Sequence, residues 1–331
     1  MSTRPDRLAE SVSGAGEPYS GFGLQLEIDR GIDAGALGLG PGTAPGERPL
    51  TRILLDPLGV EQRWDAVSAE ALRMRELREG GEVVFSVDLA EPAGYHVWAE
   101  GVGRALVRSD GGEVLCDPLP ERPDWAFILP AQVLPLAATL NGLEVLHAAG
   151  LVLGGRGLLL AGEPGAGKSS LAAALVRRGA ALLSDDCVAL EPRDGALLAH
   201  PGAGILYLRH DEHDRLSEDE RAALGSASAF AGKQRYDPPV AVEPAPFGAL
   251  LLLERAESGP ELERIAGADP FALLAATFNL SVRTPERLTR QLDVVGELIA
   301  SEQVYRLRVL PGRDATQLAE VVERELDGAG A

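Results

Sequence analysis

Apolar positions along this chain recur with two different periods, and the change falls near residue 130. Before it the pattern is mostly two-fold. Leu24-Gln25-Leu26-Glu27-Ile28 alternates and reads as a strand. Between about 80 and 117, short runs at 83–87, 95–99, 105–107 and 114–116 are set apart by turn residues, with Asp110-Gly111-Gly112 as a hairpin turn. Residues 31–48 are rich in Gly and Pro and carry no period, which predicts a connector. Residues 1–20 are polar and predict a loose tail, leaving 21–130 as a small β-rich domain.

From 131 to 331 strands alternate with helical spacing, as in an α/β fold. A helix is predicted over 132–143, and Val145-Leu146-His147-Ala148-Ala149 opens the second module. Gly157-Leu158-Leu159-Leu160-Ala161 is a buried strand, 169–178 a helix with Leu171, Ala174, Leu175 and Arg178 at helical spacing, and Gly179 its left-handed stop. Residues 180–184 form a strand, and 187–191 with 197–200 a hairpin around Pro192-Arg193-Asp194-Gly195. Further on the pattern predicts an acidic helix over 211–224, a loop over 226–239, a strand over 247–254 and a helix over 271–280. Another helix, 285–300, is capped by Thr284 with proline first; a strand at 304–310 and a helix at 315–326 complete the chain.

Composition narrows the function classes. The 331 residues have 45% hydrophobic content and a mean hydropathy near zero, and no apolar run is long enough to span a bilayer. A net charge of −19 argues against nonspecific binding to nucleic acid or anionic membranes. Cys116 and Cys187 offer neither a disulfide framework nor metal-ligand spacing, and Met1 precedes polar residues, so a cytoplasmic protein is expected.

One stretch nearly names its own chemistry. Gly162-Glu163-Pro164-Gly165-Ala166-Gly167-Lys168-Ser169 has the G-x-x-x-x-G-K-[ST] form of a phosphate loop, set between a strand and a helix N-terminus. Glycines let backbone N–H groups turn toward a phosphate, Lys168 reaches the β/γ-phosphates, and the Ser169 hydroxyl takes a position on Mg²⁺. With Ser170 these residues form the nucleotide-binding set, and ATP with Mg²⁺ is the expected ligand pair. Lysine occurs only at Lys168 and Lys233 among 31 basic residues, so its use in the loop answers a specific need.

A second feature follows at one helix and one strand's distance. Asp185-Asp186 ends the strand after the loop helix, which returns the chain to the level of the phosphates. There one carboxylate can hold Mg²⁺ and the other can take a proton from an attacking hydroxyl.

Together, His147, Lys168, Ser169, Arg178-Gly179 and Asp185-Asp186 resemble the catalytic domain of HPr kinase/phosphorylase, which shares its phosphate-loop core with PEP carboxykinase. The histidine stands 21 residues before the loop lysine, and the acidic pair 17 and 18 residues after it. The resemblance is strong over 145–191 and extends in layout to about 326. It implies a phosphate-loop kinase core in 131–331 and a serine or threonine kinase, with Asp186 as proton acceptor, His147 supporting the acidic pair, and Asp185 and Ser169 on the metal.

Two departures shape the expectation. The family's E-I-R-G segment has a counterpart for its arginine in Arg209, but Tyr207 stands where its metal-holding glutamate would be. The family's R-P-G-R-N loop, used in dephosphorylation, is replaced by Pro244-Ala245-Pro246; Pro311-Gly312-Arg313-Asp314 follows a different strand. The implied enzyme is a forward-only kinase. It is similar to the HPr-kinase-related proteins of peptide-modification gene sets, which phosphorylate a serine on a precursor peptide. Lys233 and Arg235 are candidates for clamping the transferring phosphoryl group. The expected partner is a serine-bearing protein or peptide, with homo-oligomer formation admitted and nucleic acid and membrane excluded. Two alternatives stay open: a small-molecule kinase on the same scaffold, and a nucleotide-gated protein that binds a peptide without phosphorylating it. His210-Asp211-Glu212-His213 lacks thiols and continues as an acidic helix, so it reads as a solvated face rather than a metal site.

Overall fold

The computed structural model describes residues 18–42, 49–122, 124–278 and 280–329; most of the expected tail and part of the 31–48 connector lie outside the described residues. Among the described residues the fold is mixed α/β, with a β-rich N-terminal part and a phosphate-loop core.

The N-terminal part is a nine-stranded sheet. Its strands from Leu72–Glu79 through Glu82–Ala90, Gly94–Ala99, Gly103–Val107 and Glu113–Pro118 form an antiparallel meander. The Asp110-Gly111-Gly112 turn sits where the pattern puts it, between the last two. Leu50–Leu55 then joins parallel to Glu113–Pro118 on one side and to Leu24–Ile28 on the other. Leu24–Ile28 buries Leu24, Leu26 and Ile28 in turn, the alternation its sequence announces. Two elements carry no such signal. Leu72–Glu79 is a charged edge strand exposed almost throughout, and the helix Pro57–Asp65 is legible only from its Asp56 cap and leading proline.

The second sheet runs in the order Glu144–Leu146, Val188–Arg193, Ala196–His200, Ala245–Arg255, Arg156–Gly162, Ala148–Leu153, Ala181–Ser184. Val304–Val309 also pairs with Ala245–Arg255, in parallel. Arg156–Gly162 and Ala181–Ser184 both run antiparallel to the strand between them. They therefore point the same way, and the segments that leave their C-terminal ends open at one edge. That single topological fact brings the phosphate loop and Asp185-Asp186 together.

The loop helix Lys168–Arg177 buries Leu171, Ala172, Ala173, Ala174, Leu175 and Val176 between this sheet and the final helix Ala315–Ala329. Arg178 pairs with Glu323 at 2.6 Å across that contact. Helix Pro285–Ala300 starts as predicted, with the Thr284 hydroxyl accepting the Arg287 N–H at 3.3 Å. It covers the other face of the sheet, and Arg287 meets Glu144 at 2.7 Å with both side chains almost fully buried.

Among the described residues the expected tail ends early, since Tyr19–Gly21 is a strand paired with Leu24–Ile28, and four further segments differ from their predicted form. Residues 226–239 are a hairpin, Ser226–Phe230 and Lys233–Asp237, which with Leu206–Arg209 makes a separate three-stranded sheet. Ser226–Phe230 is exposed up to Phe230, so no buried face marks it as a strand in the sequence. The acidic helix is two short ones, His210–Arg215 and Glu218–Ala223, because Ser217 starts a new capping box with Glu220. The 271–280 helix is only Pro270–Ala275, since Leu146 takes Thr277 into a β-bridge. The 132–143 helix begins as a π turn at Leu129–Val133 and is α-helical over Leu134–Leu140.

The two sheets share packing. Leu24, Ile53 and Val97 of the first lie in one apolar cluster with Val133, Val145 and Ala189 of the second part. Main-chain bonds from Phe22 N–H to the Pro201 carbonyl (2.6 Å) and from Gly204 N–H to the Gly38 carbonyl (2.7 Å) tie them further.

Candidate active site

Gly162 ends the loop strand with a φ of 153°, and a Cβ there would stand 2.7 Å from the Leu253 carbonyl of the parallel neighbour. Only glycine fits that approach. Gly167, with a φ of 103°, turns the chain into the helix that begins at Lys168. The Lys168 Nζ donates to the Gly162 carbonyl at 2.8 Å, folded back over its own loop. Burial lowers its pKa, while Asp186 and then Asp185 pull the other way. The ammonium thus already feels both carboxylates, as the spacing predicts.

His147 sits between two strands. Ala148 pairs with Ala161, so the preceding histidine lies beside the mouth of the loop. Its N–H donates to the Ala276 carbonyl at 2.7 Å, which fixes the backbone. Its ring stacks on Phe278 at 6.1 Å between centroids. Burial and the Lys168 charge lower the imidazole pKa, opposed by the Asp186 charge and a hydrogen bond with the Asp186 main chain. On balance the site favours the neutral imidazole, and its link to the acidic pair runs through the Asp186 main chain.

Asp185 is the buried member of that pair. Burial, reinforced by Asp186, pushes its carboxyl up to about 7, against the Tyr207 N–H, the Ser169 hydroxyl and the Lys233 charge. Tyr207 N–H donates to Oδ2 at 3.1 Å, and Oδ1 is buried with no hydrogen-bond partner among the described residues. An orphan carboxylate oxygen next to a loop serine is the donor chemistry a hard divalent cation takes. Among the described residues no cluster of three His, Cys, Asp or Glu could hold a metal alone. Mg²⁺ suits such a site, because it keeps waters and shares its shell with nucleotide phosphates.

The other predicted residues divide. Ser170 donates to Glu212, which locks the helix His210–Arg215 onto the loop helix. Glu212 belongs to the run read as a solvated face, and His213 of the same run bonds the Tyr236 hydroxyl, so that face is partly inward. Lys233 lines the cavity with Asp185 and Asp186. Arg235 does not stand free toward it: its guanidinium donates to the Ala36 carbonyl at 2.7 Å and pairs with Asp237 at 3.0 Å. Arg209 is exposed beside Asp211 and Glu212.

Two cations were not singled out from the sequence. Arg255, at the end of the neighbouring strand, donates to the Gly165 carbonyl at 3.1 Å. Arg75 reaches over from the edge strand Leu72–Glu79, its guanidinium 5.9 Å from the Phe278 ring, and lowers the His147 pKa. No local signal in either segment marks these contacts, which arise from strand pairing and sheet packing.

Comparison with known proteins bears on this region. Residues 139–205 match the family model of the HPr Serine kinase C-terminal domain. That segment holds His147, the phosphate loop and the acidic pair, so the similarity to that domain falls on the residues of the candidate site. Among solved structures, the Hpr(Ser) kinase/phosphatase from Coxiella burnetii is similar at 17% identity over 56% of this chain and 96% of that chain, with a TM-score of 0.30. No curated protein matches the chain in sequence. Among the described residues no helix is long and apolar enough to cross a membrane.

Proposed function

We propose that this protein is an ATP- and Mg²⁺-dependent serine or threonine kinase that phosphorylates a protein or precursor peptide and does not run the reverse, phosphate-driven reaction. In this reading 131–331 is the catalytic domain, 21–130 a β-rich domain attached to it, and the reaction is cytoplasmic. The observation that carries the proposal is the convergence of Lys168, His147 and Asp185-Asp186 at one sheet end.

The chemistry asks little beyond position and charge. Loop N–H groups and Lys168 hold the β- and γ-phosphates. Ser169 and Asp185 would hold Mg²⁺, which when bound neutralises charge on the phosphates. Asp186 accepts the proton of the acceptor hydroxyl as its oxygen bonds to the γ-phosphorus and the bond to ADP breaks. His147 keeps the acidic pair in place through the Asp186 main chain. Pro244-Ala245-Pro246, with no arginine at the start of the strand Ala245–Arg255, supports a forward-only enzyme.

Incubation of the full chain with γ-labelled ATP, Mg²⁺ and a degenerate serine-centred peptide library tests this. Label should appear on peptide hydroxyls. Label on added small metabolites but never on peptides would instead support a small-molecule kinase, and ATP binding without transfer a nucleotide-gated binder.

A further inference from the structure

The hairpin over 226–239 overhangs the acidic pair and walls a cavity. Its tip, Ala231-Gly232, turns with φ of 45° and 77°, the left-handed pair that a two-residue hairpin needs. The turn brings Phe230 edge-on to Phe127 at 5.5 Å, and Tyr207 closes a third side at 5.3 Å from Phe230. Ala131, Ala203 and Ile205 complete an apolar wall, while Asp185, Asp186 and Lys233 form the polar part.

The cavity volume is about 240 Å³. That is room for about eight water molecules at bulk density. It falls below the roughly 300–1,000 Å³ of pockets that enclose a whole small ligand. It does accommodate one large side chain. The two carboxylates repel an acidic group, and the aromatic wall offers a charged one no replacement for water.

We infer that this cavity receives an apolar side chain adjacent to the phosphoryl-accepting serine of a peptide, which places the serine hydroxyl at Asp186. The assignment of the hydroxyl rests on the kinase reading above; the apolar occupant rests on the cavity. In the transfer, the serine Oγ bonds to the γ-phosphorus, the bond from that phosphorus to the ADP oxygen breaks, and the serine proton passes to Asp186.

Serine peptides varied one flanking position at a time, with ATP and Mg²⁺, test the specificity on the full chain. One flanking position should favour Leu, Met or Phe over Asp by about tenfold or more in kcat/KM. Ala203→Trp, or Ala131→Leu if the first variant does not fold, fills the cavity and should erase that preference with nucleotide affinity unchanged. Transfer at equal rates for all flanking residues would overturn the cavity assignment and leave the kinase reading standing. Occupancy is read separately from the alanine methyl resonances of Ala131 and Ala203 on adding N-acetyl-Ser-Leu-amide or N-acetyl-Ser-Asp-amide. Shifts with the leucine compound alone, without transfer, would support the cavity and remove the kinase reading. Shifts with neither compound, together with no transfer, would overturn both.

Discussion

The main-chain N–H of Tyr207 donates to Asp185 Oδ2 at 3.1 Å, so a backbone group steadies the buried carboxylate. The tyrosine side chain contributes a wall, its ring tilted against Phe230, and burial raises its hydroxyl pKa. Tyr207→Phe keeps both the N–H and the ring. Phosphoryl transfer by this variant should stay within about threefold of the parent, whereas Tyr207→Pro, which removes the donor, should lose it. Steady-state rates for the two variants check this.

Lys168→Ala removes the cation from the loop and leaves its glycines in place. Nucleotide affinity, by titration with a fluorescent ATP analogue, should fall by at least about tenfold, and turnover by about a hundredfold or more. Lys168→Arg should not restore turnover, because a planar guanidinium does not replace a compact ammonium folded over the loop.

Glu144 and Arg287 tie helix Pro285–Ala300 to the edge strand of the second sheet, at 1% and 3% side-chain exposure. Burial pushes Glu144 up to about 7 against the pull of Arg287 and Arg290. Its contribution to stability is thus greatest below its unfolded pKa and declines as pH rises through about 7. Arg287→Met leaves the buried carboxylate without its hydrogen-bonded partner and with only the Arg290 charge nearby, and urea unfolding at pH 8 should show a loss of about 3 kcal/mol. At pH 6 the loss should be smaller, since Glu144 can then be buried as the neutral acid.

His96 stacks flat on Trp64, with centroids 4.3 Å apart, and neither ring nitrogen has a hydrogen-bond partner among the described residues. Burial lowers its pKa to about 4. The unfolded chain therefore binds the proton first. Stability from this group is complete above about 6.5 and is lost as pH falls toward about 4, by about 3 kcal/mol in all. His96→Phe keeps the stack and should flatten the unfolding free energy across that window.

Much of the second sheet was legible because its strands are buried on both faces and read as apolar runs. The loop helix was bounded by glycines at both ends, and the sequence distances from Lys168 to His147 and to the acidic pair marked the candidate site, whose residues the fold brings together. The charged edge strand Leu72–Glu79 and the hairpin over 226–239 were opaque for a common reason. Leu72–Glu79 and Ser226–Phe230 are almost wholly exposed and Lys233–Asp237 buries only Tyr236, so none of them shows the repeated apolar face that makes a strand visible in sequence. Arg235 illustrates the limit further: its residue type fits a phosphate clamp, but contact with Ala36, far away in the chain, engages it elsewhere. Glu212 shows the converse, an acidic residue in a polar run that turns inward to Ser170.

The central claim is that Asp186 takes the proton of the acceptor hydroxyl. Single-turnover transfer from γ-labelled ATP to a serine peptide by Asp186→Asn, with nucleotide affinity measured on the same preparation, tests it most directly. The account predicts near-parent ATP binding and transfer slower by about a hundredfold to ten-thousandfold. Transfer at the parent rate would contradict it.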